Sequence, residues 1–309
     1  FPGQGDGGTE RLVWWIAKGL HELGMDVTLV CKSKSQCSFA AIKTDVDFNA
    51  PISLPEFDLL HLFNTPHTEP GEPYLVTIGG NGKYGERFSK NTVFISRDHA
   101  ARHGADCFVY NGVDPGEYEY RSSKDDYLLF LAKASWKVKN VAGAIRIARL
   151  ARKQIHIIGG EKWFFNPWRG AYWDGVSGGK EKAERIAGAM GLVFPVVWDE
   201  PFGLAVVEAL MSGTPVLASP FGSLPELVPS EVGRICHTEK EFAAAVRDLP
   251  MFKPEACRRW AMDHFHYHRM VKDYLGLYEK VIRGEILNFK IPTAVEAPRY
   301  CLSIPRSAD

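Results

Sequence analysis

The chain has no surplus of charge of either sign. Lys and Arg number 37, Asp and Glu also number 37, and the formal net charge over 309 residues is zero. A general nucleic-acid binder carries a basic excess, so no nucleic-acid partner is expected, although a local basic pocket is compatible with this balance. No apolar run reaches the roughly 18 residues of a membrane-spanning helix. The longest candidates, such as Leu192 to Trp198, have the length of a strand. Cys-x-x-Cys pairs are lacking among Cys31, Cys37, Cys107, Cys236, Cys257 and Cys301. These read as the reduced, scattered thiols of a cytoplasmic protein rather than a disulfide or zinc framework. Phe1-Pro2-Gly3 opens the sequence with neither a basic nor an apolar leader, so no signal peptide is expected. Internal repeats and low-complexity tracts are missing too. What remains is 45% hydrophobic and 24% charged, the composition of an ordinary globular chain. The length suggests about two domains.

The apolar pattern alternates between helix and strand. Leu12, Val13, Ile16, Leu20 and Leu23 fall on one face of a helix over 10–23, which Gly24 ends. Short apolar runs follow at 27–31, 57–63, 74–78, 92–96 and 107–110, without the alternation of a half-solvated strand. They read as parallel strands covered on both faces. Residues 111–126 are polar and rich in Gly, Pro and Asp, a linker. A second series then runs strand 127–131, helix 140–152, strand 155–158, helix 180–189, strand 192–197, helix 204–211 and strand 215–218. Helical patterns at 239–248 and 255–283 close it, and the last 25 or so residues have no period. Two such series imply two doubly wound α/β units, whose ligands lie at the carboxyl ends of the strands.

Two motifs carry chemistry. Gly3, Gly5 and Gly8 form G-x-G-x-x-G before a helix, the pattern of a dinucleotide site. Yet no strand precedes it, and Cys31-Lys32-Ser33-Lys34 offers no carboxylate for a ribose. A flexible turn, or a helix N-terminus that attracts phosphate, accounts for it as well. The stronger signal is Asp199-Glu200-Pro201-Phe202-Gly203-Leu204, followed by Glu208 and by Ser212-Gly213-Thr214-Pro215. It joins a strand to a helix and holds two carboxylates at fixed spacing. Carboxylates accept hydrogen bonds from the paired hydroxyls of sugars. Glu208 stands among Val206, Val207, Ala209 and Leu210, where a Glu needs a partner. A lone Glu is more often simply exposed on a helix flank.

Glu200-x7-Glu208 with the intervening Pro-Phe-Gly-Leu resembles the E-x7-E signature of glycosyltransferase family 4. Gly222-Ser-Leu-Pro-Glu226 and Asn111-Gly-Val-Asp114 are similar to further segments of that family. So are Phe130-Leu-Ala-Lys133-x5-Lys139-Asn140, in the place of its phosphate-binding segment, and Phe265…Arg269…Tyr274…Tyr278, in the place of its closing helix. The resemblance implies an α/β chain with the GT-B fold: two Rossmann-like doubly wound parallel-sheet domains facing a cleft. It divides the chain into an acceptor-side domain over 1–119, its first strand apparently missing, a nucleotide-sugar domain over 120–265, and a closing helix and tail over 266–309 that cross back to the first domain. It further implies a retaining, metal-independent transferase of the hexosyl type, with a nucleotide-diphosphate sugar as donor and no cofactor. Glu208 would then hold the ribose, Glu200 the donor sugar, and Lys133 and Lys139 the diphosphate. Phe202, Gly203 and Leu204 would line the sugar, and Gly7 and Gly8 would approach the phosphate. The leaving diphosphate gains negative charge, which lysines and a helix N-terminus stabilise.

Two positions depart from the family pattern. Lys133 stands where the family has Arg, a point charge in place of a planar fork. Gly79 stands where many members have His, leaving Asn81 or Lys83 as substitutes. These departures motivate a catalytically impaired nucleotide-sugar binder as an alternative reading; an NAD(P)-dependent oxidoreductase, resting only on Gly3, Gly5 and Gly8, is another. His61 ends a strand on the ligand side, where a lone His is more often structural. His264, His266 and His268 resemble a zinc pair with no third ligand. The aromatic cluster Trp163, Phe164, Phe165, Trp168, Tyr172 and Trp173 reads as packing before base stacking. The acceptor is not legible. A cytoplasmic protein is expected, with contact at the inner face of the membrane left open.

Overall fold

The computed structural model describes residues 7–31, 36–47, 50, 52–160, 170–175, 179–294 and 304–305. By internal contacts the chain divides into two compact units. One comprises Phe1–Val113 and His266–Pro298, the other Asp114–Phe265 and Arg299–Asp309.

The first unit opens with α1 (Gly8–Glu22), which buries Leu12, Trp15, Ile16 and Ala17. Gly24 follows at φ +79°, the left-handed turn that stops the helix. Leu23, expected on the buried face, instead caps the helix and is exposed. Strands β1 (Thr28–Val30) and β2 (Ala41–Lys43) form one parallel pair. Strands β3 (Leu60–Leu62), β4 (Tyr74–Ile78) and β5 (Thr92–Phe94) form a separate parallel sheet with β4 in the middle. Residues 107–110, expected as a strand, make a single bridge from Phe108 to Phe94. A short helix, α2 (Arg97–Arg102), begins at Ser96, whose hydroxyl accepts from the His99 N–H at 3.1 Å.

In the second unit the elements run β6 (Tyr127–Leu131), α3 (Val141–Leu150), β7 (Gln154–Ile158), β8 (Ala171–Gly175), α4 (Gly179–Gly188) and β9 (Gly191–Phe194). They continue through α5 (Leu204–Met211), β10 (Val216–Ala218), α6 (Leu224–Leu227), β11 (Gly233–Ile235), α7 (Glu239–Ala245) and α8 (Pro254–Phe265). All six strands pair in parallel in the order β11-β10-β9-β6-β7-β8. Counted from β6, that is the 3-2-1-4-5-6 order of the dinucleotide-binding α/β fold. Every residue of β6 is buried, which is why its sequence shows no alternation. Leu128, Phe130, Ile155, Ile157, Val193 and Leu217 form the sheet's share of the core, against Ile145, Ile147 and Ala148 of α3 and Phe242 of α7.

The helical pattern over 255–283 is two helices. His266 is extended (φ −71°, ψ 136°), its Nδ1 accepts from the His268 N–H at 3.1 Å, and α9 (Tyr267–Ile282) starts there. The break lets α9 join the first unit: Tyr267 N–H donates to the Val113 carbonyl at 3.1 Å, and Val271 packs on Gly19 of α1. The tail does not stay with α9. Ile304 is buried in the core of the second unit, and the Pro305 carbonyl accepts from the Glu239 N–H at 3.2 Å. The five described cysteines carry no disulfide; burial pushes the Cys236 and Cys257 thiols up to about 12. Cys301 and the aromatic residues Trp163, Phe164, Phe165 and Trp168 lie outside the described residues. Of the rest of that cluster, Trp173 packs on the core, and Tyr172 stacks on His156 at 5.2 Å.

Candidate active site

In a parallel α/β sheet, ligands gather where the strand order reverses, outside the carboxyl ends of the strands. Here that point lies between β6 and β9. The chain leaves β6 through 132–140 and β9 through 195–203, so both loops must meet there. Asn140 ties them together. It is left-handed (φ 58°, ψ 47°), its Oδ1 caps α3 by accepting from the Gly143 N–H at 3.0 Å, and its Nδ2 donates to the Pro195 carbonyl at 2.9 Å. The Val197 N–H adds a bond to the Val138 carbonyl at 2.8 Å.

Glu200 is 6% exposed at this junction. Its Oε2 accepts from Lys139 Nζ at 2.7 Å and from Trp198 Nε1 at 2.7 Å. The ammonium also lies 4.6 Å from the centre of the Trp198 ring, a cation–π contact. A charge pair this enclosed needs such added partners to offset its desolvation. The backbone is held as firmly. Ser223 N–H donates to the Glu200 carbonyl at 3.0 Å, and Ser223 Oγ donates to the Phe202 carbonyl at 2.6 Å. Gly222 (φ +64°) lies directly against the backbone of Asp199 and Glu200, with no room for a Cβ.

Phe202 is buried edge-to-face against Phe265 at 5.8 Å. Gly203, at φ +98°, turns the chain into α5, and the half-buried Leu204 opens that helix. Glycine is the residue for this left-handed position. Glu208 is 3% exposed, on a helix whose other inward residues are Val206, Val207, Ala209, Leu210 and Met211. Its Oε2 lies 3.0 Å from Lys182 Nζ of α4. At their far ends α4 and α5 are joined by Lys124, whose Nζ donates to the Ala187 carbonyl at 2.7 Å and the Ser212 carbonyl at 3.2 Å. Burial lowers the pKa of that ammonium to about 8.

The structure thus gathers Glu200, Lys139, Phe202, Gly203, Leu204 and Glu208 on the two carboxyl-end loops of the second unit and the helix that follows them. Lys133 shares the first loop but is exposed, its Nζ 5.4 Å from the Trp136 ring. Gly7 and Gly8 belong to the first unit, Gly7 as the extended N-cap of α1; Gly3 and Gly5 lie outside the described residues. Sequence reasoning missed Lys182 and Trp198, and gave no role to Asn140 and Ser223, which it met only inside longer motifs. Lys182 sits in Gly179-Lys-Glu-Lys-Ala-Glu-Arg185, which reads as a solvated charged helix, and nothing local marks it.

In the first unit, Gly79 is open: a Cβ there would meet only Thr9 Oγ1, at 4.0 Å. Asn81 is buried and accepts from Arg102 Nη1 at 3.0 Å. The Lys83 side chain is exposed. His61 is a structural residue, with Nδ1 2.8 Å from Tyr278 Oη and Nε2 2.8 Å from Thr77 Oγ1; burial lowers its pKa to about 3. The three later histidines have separate partners. His264 stacks on Trp260 at 3.6 Å, His266 caps α9, and His268 Nε2 lies 2.8 Å from Glu22 Oε2. Asp45-Val46-Asp47 has Asp-x-Asp spacing, and Asp45 lies 3.5 Å from Lys43. Among the described residues no three His, Cys, Asp or Glu side chains converge as metal ligands do, and no helix is long and apolar enough to cross a membrane.

Comparison with known proteins bears on the fold. Residues 125–250 match the family model described as glycosyl transferases group 1. A D-inositol 3-phosphate glycosyltransferase from Salinispora tropica is 34% identical over 102 residues, 30% of this chain and 21% of that protein. The curated relatives it matches are spanned over only 20–26% of their own lengths. Among solved structures, AviGT4, a glycosyltransferase involved in avilamycin A biosynthesis, superimposes with a TM-score of 0.78 at 22% identity, covering 93% of this chain and 94% of its own. HepE from Anabaena, solved in complex with UDP-glucose, gives 0.63 at 13% identity over 89% and 97% of the two chains. Residues 125–250 are thus similar to glycosyl transferases group 1, and the chain takes the GT-B fold of these glycosyltransferase structures.

Proposed function

We propose that this chain transfers a sugar from a nucleoside diphosphate sugar to a hydroxyl acceptor, with retention of anomeric configuration and without a metal ion. The observation that carries the reading is the pair of buried carboxylates, Glu200 and Glu208, each held by a lysine beside the switch point of a sheet with dinucleotide-binding strand order. Glu208 accepts from the ribose hydroxyls and Glu200 from the donor sugar. Lys139, Lys133 and the N–H groups at the start of α5 meet the diphosphate, whose negative charge grows as the bond to the sugar breaks. The carbon–oxygen electron pair leaves with the diphosphate. The acceptor oxygen bonds to the same carbon on the same face, and its proton passes to the departing phosphate oxygen. No covalent enzyme nucleophile is needed. HepE, with UDP-glucose bound, supports a nucleotide sugar as the donor class.

A panel of UDP-, GDP-, ADP- and dTDP-sugars, titrated calorimetrically and followed for nucleoside diphosphate release, tests this. Binding of one nucleotide with release of its diphosphate is expected. Tight binding with no release would favour the catalytically impaired reading that Gly79 motivates. Response to NAD or NADP alone would overturn the transferase reading.

A further inference from the structure

Of the charged residues on α4, Lys180, Glu181 and Glu184 are exposed, and Arg185 turns to Asp174 at 3.3 Å. Lys182 is different. It shares the inward side of the helix with Ala183 and Ile186, both buried, and its side chain is 23% exposed. The apolar stem lies along that face, and the ammonium reaches Glu208 Oε2 at 3.0 Å. The partner carboxylate is 4% exposed on an apolar helix. Strands β9 and β10 bring apolar side chains, while Lys124 and, from α8, Arg258 bond the Ser212 and Met211 carbonyls further along.

We propose that Lys182 is a positioning residue of the nucleoside site, orienting the Glu208 carboxylate as an acceptor for ribose hydroxyls. This rests on the functional reading above. An ionised carboxylate has about four lone-pair sites, so one oxygen can keep the ammonium while hydroxyls bind the group. Replacing the ammonium by an apolar side chain removes that anchor, and hydroxyl recognition should weaken with it.

The test compares the nucleoside diphosphate that the donor panel selects with its 2′,3′-dideoxy form by calorimetry, on the full chain. Wild type should prefer the hydroxyl-bearing nucleotide by roughly tenfold or more. Lys182→Met should lose most of the preference. Lys182→Arg should keep it, since only the cation is required. Lys182→Gln repeats the measurement should the Met variant fail to fold. If the Met and Gln variants keep the wild-type preference, Lys182 has no positioning role, and the transferase reading stands. If wild type itself ignores the ribose hydroxyls, the role of Glu208 falls, and this proposal falls with it.

Discussion

Replacing Gly222 by alanine perturbs Glu200 without altering any side chain at the site. Gly222 sits at φ +64°, and an added Cβ would lie 2.8 Å from the carbonyl carbon of Asp199, with Glu200 N and O closer still. Ordinary carbon–carbon contact is about 3.5–4.0 Å, so the loop must retreat by on the order of 1 Å. Its anchors resist, because Ser223 N–H and Oγ hold the carbonyls of Glu200 and Phe202 at 3.0 and 2.6 Å. Left-handed backbone strain of about 1–2 kcal/mol adds to about 1–3 kcal/mol of overpacking. For a unit of this size the sum is a fall in Tm of roughly 4–20 °C. The displaced carboxylate loses its geometry with Lys139 and Trp198, and a 1 Å misplacement near reacting groups costs about 100-fold in rate. Differential scanning calorimetry and donor turnover read the two effects. Gly276→Ala is the control. That glycine is exposed in α9 with nothing within 4 Å of an added Cβ, and the change should stabilise by about 0.5–1 kcal/mol. A Gly222→Ala variant with unchanged Tm and turnover would refute the argument.

Glu208→Ala should weaken nucleotide binding, and Glu200→Ala should cut turnover more than nucleotide affinity; equal and negligible effects in calorimetry and rate assays would mean the site lies elsewhere. Arg146 holds the buried Glu239 through Nε and Nη2, at 3.1 and 2.7 Å. Arg146→Met should therefore cost about 2–4 kcal/mol in urea denaturation, and adding Glu239→Leu should recover most of it. His61 has its pKa lowered to about 3 from about 6.5 in the unfolded chain, so its share of stability is whole above about pH 6.5 and is lost as pH falls toward 3, by up to about 1.4 kcal/mol per unit. His99 is lowered in the same direction by burial. The urea midpoint should fall between about pH 7 and 5, and His61→Asn should flatten part of the slope; a midpoint constant over that range would contradict the burial argument.

Strands β4 and β6 and helix α5 were legible to the residue: they begin and end where the pattern does, because turn residues bound them and burial leaves mostly apolar choices. The apolar run from Leu192 to Trp198 reads as a longer strand than β9, which ends at Phe194. Three-residue strands such as β2 and β11 carry too little pattern to read, and β8 includes the charged Asp174. The helix over 255–283 shows the limit of periodicity. His266 keeps the helical spacing on both sides, yet its pairing with Val113 makes it extended.

The two carboxylates were visible because they share one short segment, and a strand-to-helix loop holds them at a separation that local geometry sets. Their charge partners were not visible. Lys139 carried a lysine's expected role, but its bond to Glu200 arises only when the loops after β6 and β9 meet at the switch point. Lys182 faces Glu208 because α4 packs on α5, and Gly222 is required because its turn closes against Glu200. Sequence periodicity decides which face of an element is buried. Which atom meets a buried carboxylate depends on contacts between segments distant along the chain, and those are settled by packing in three dimensions.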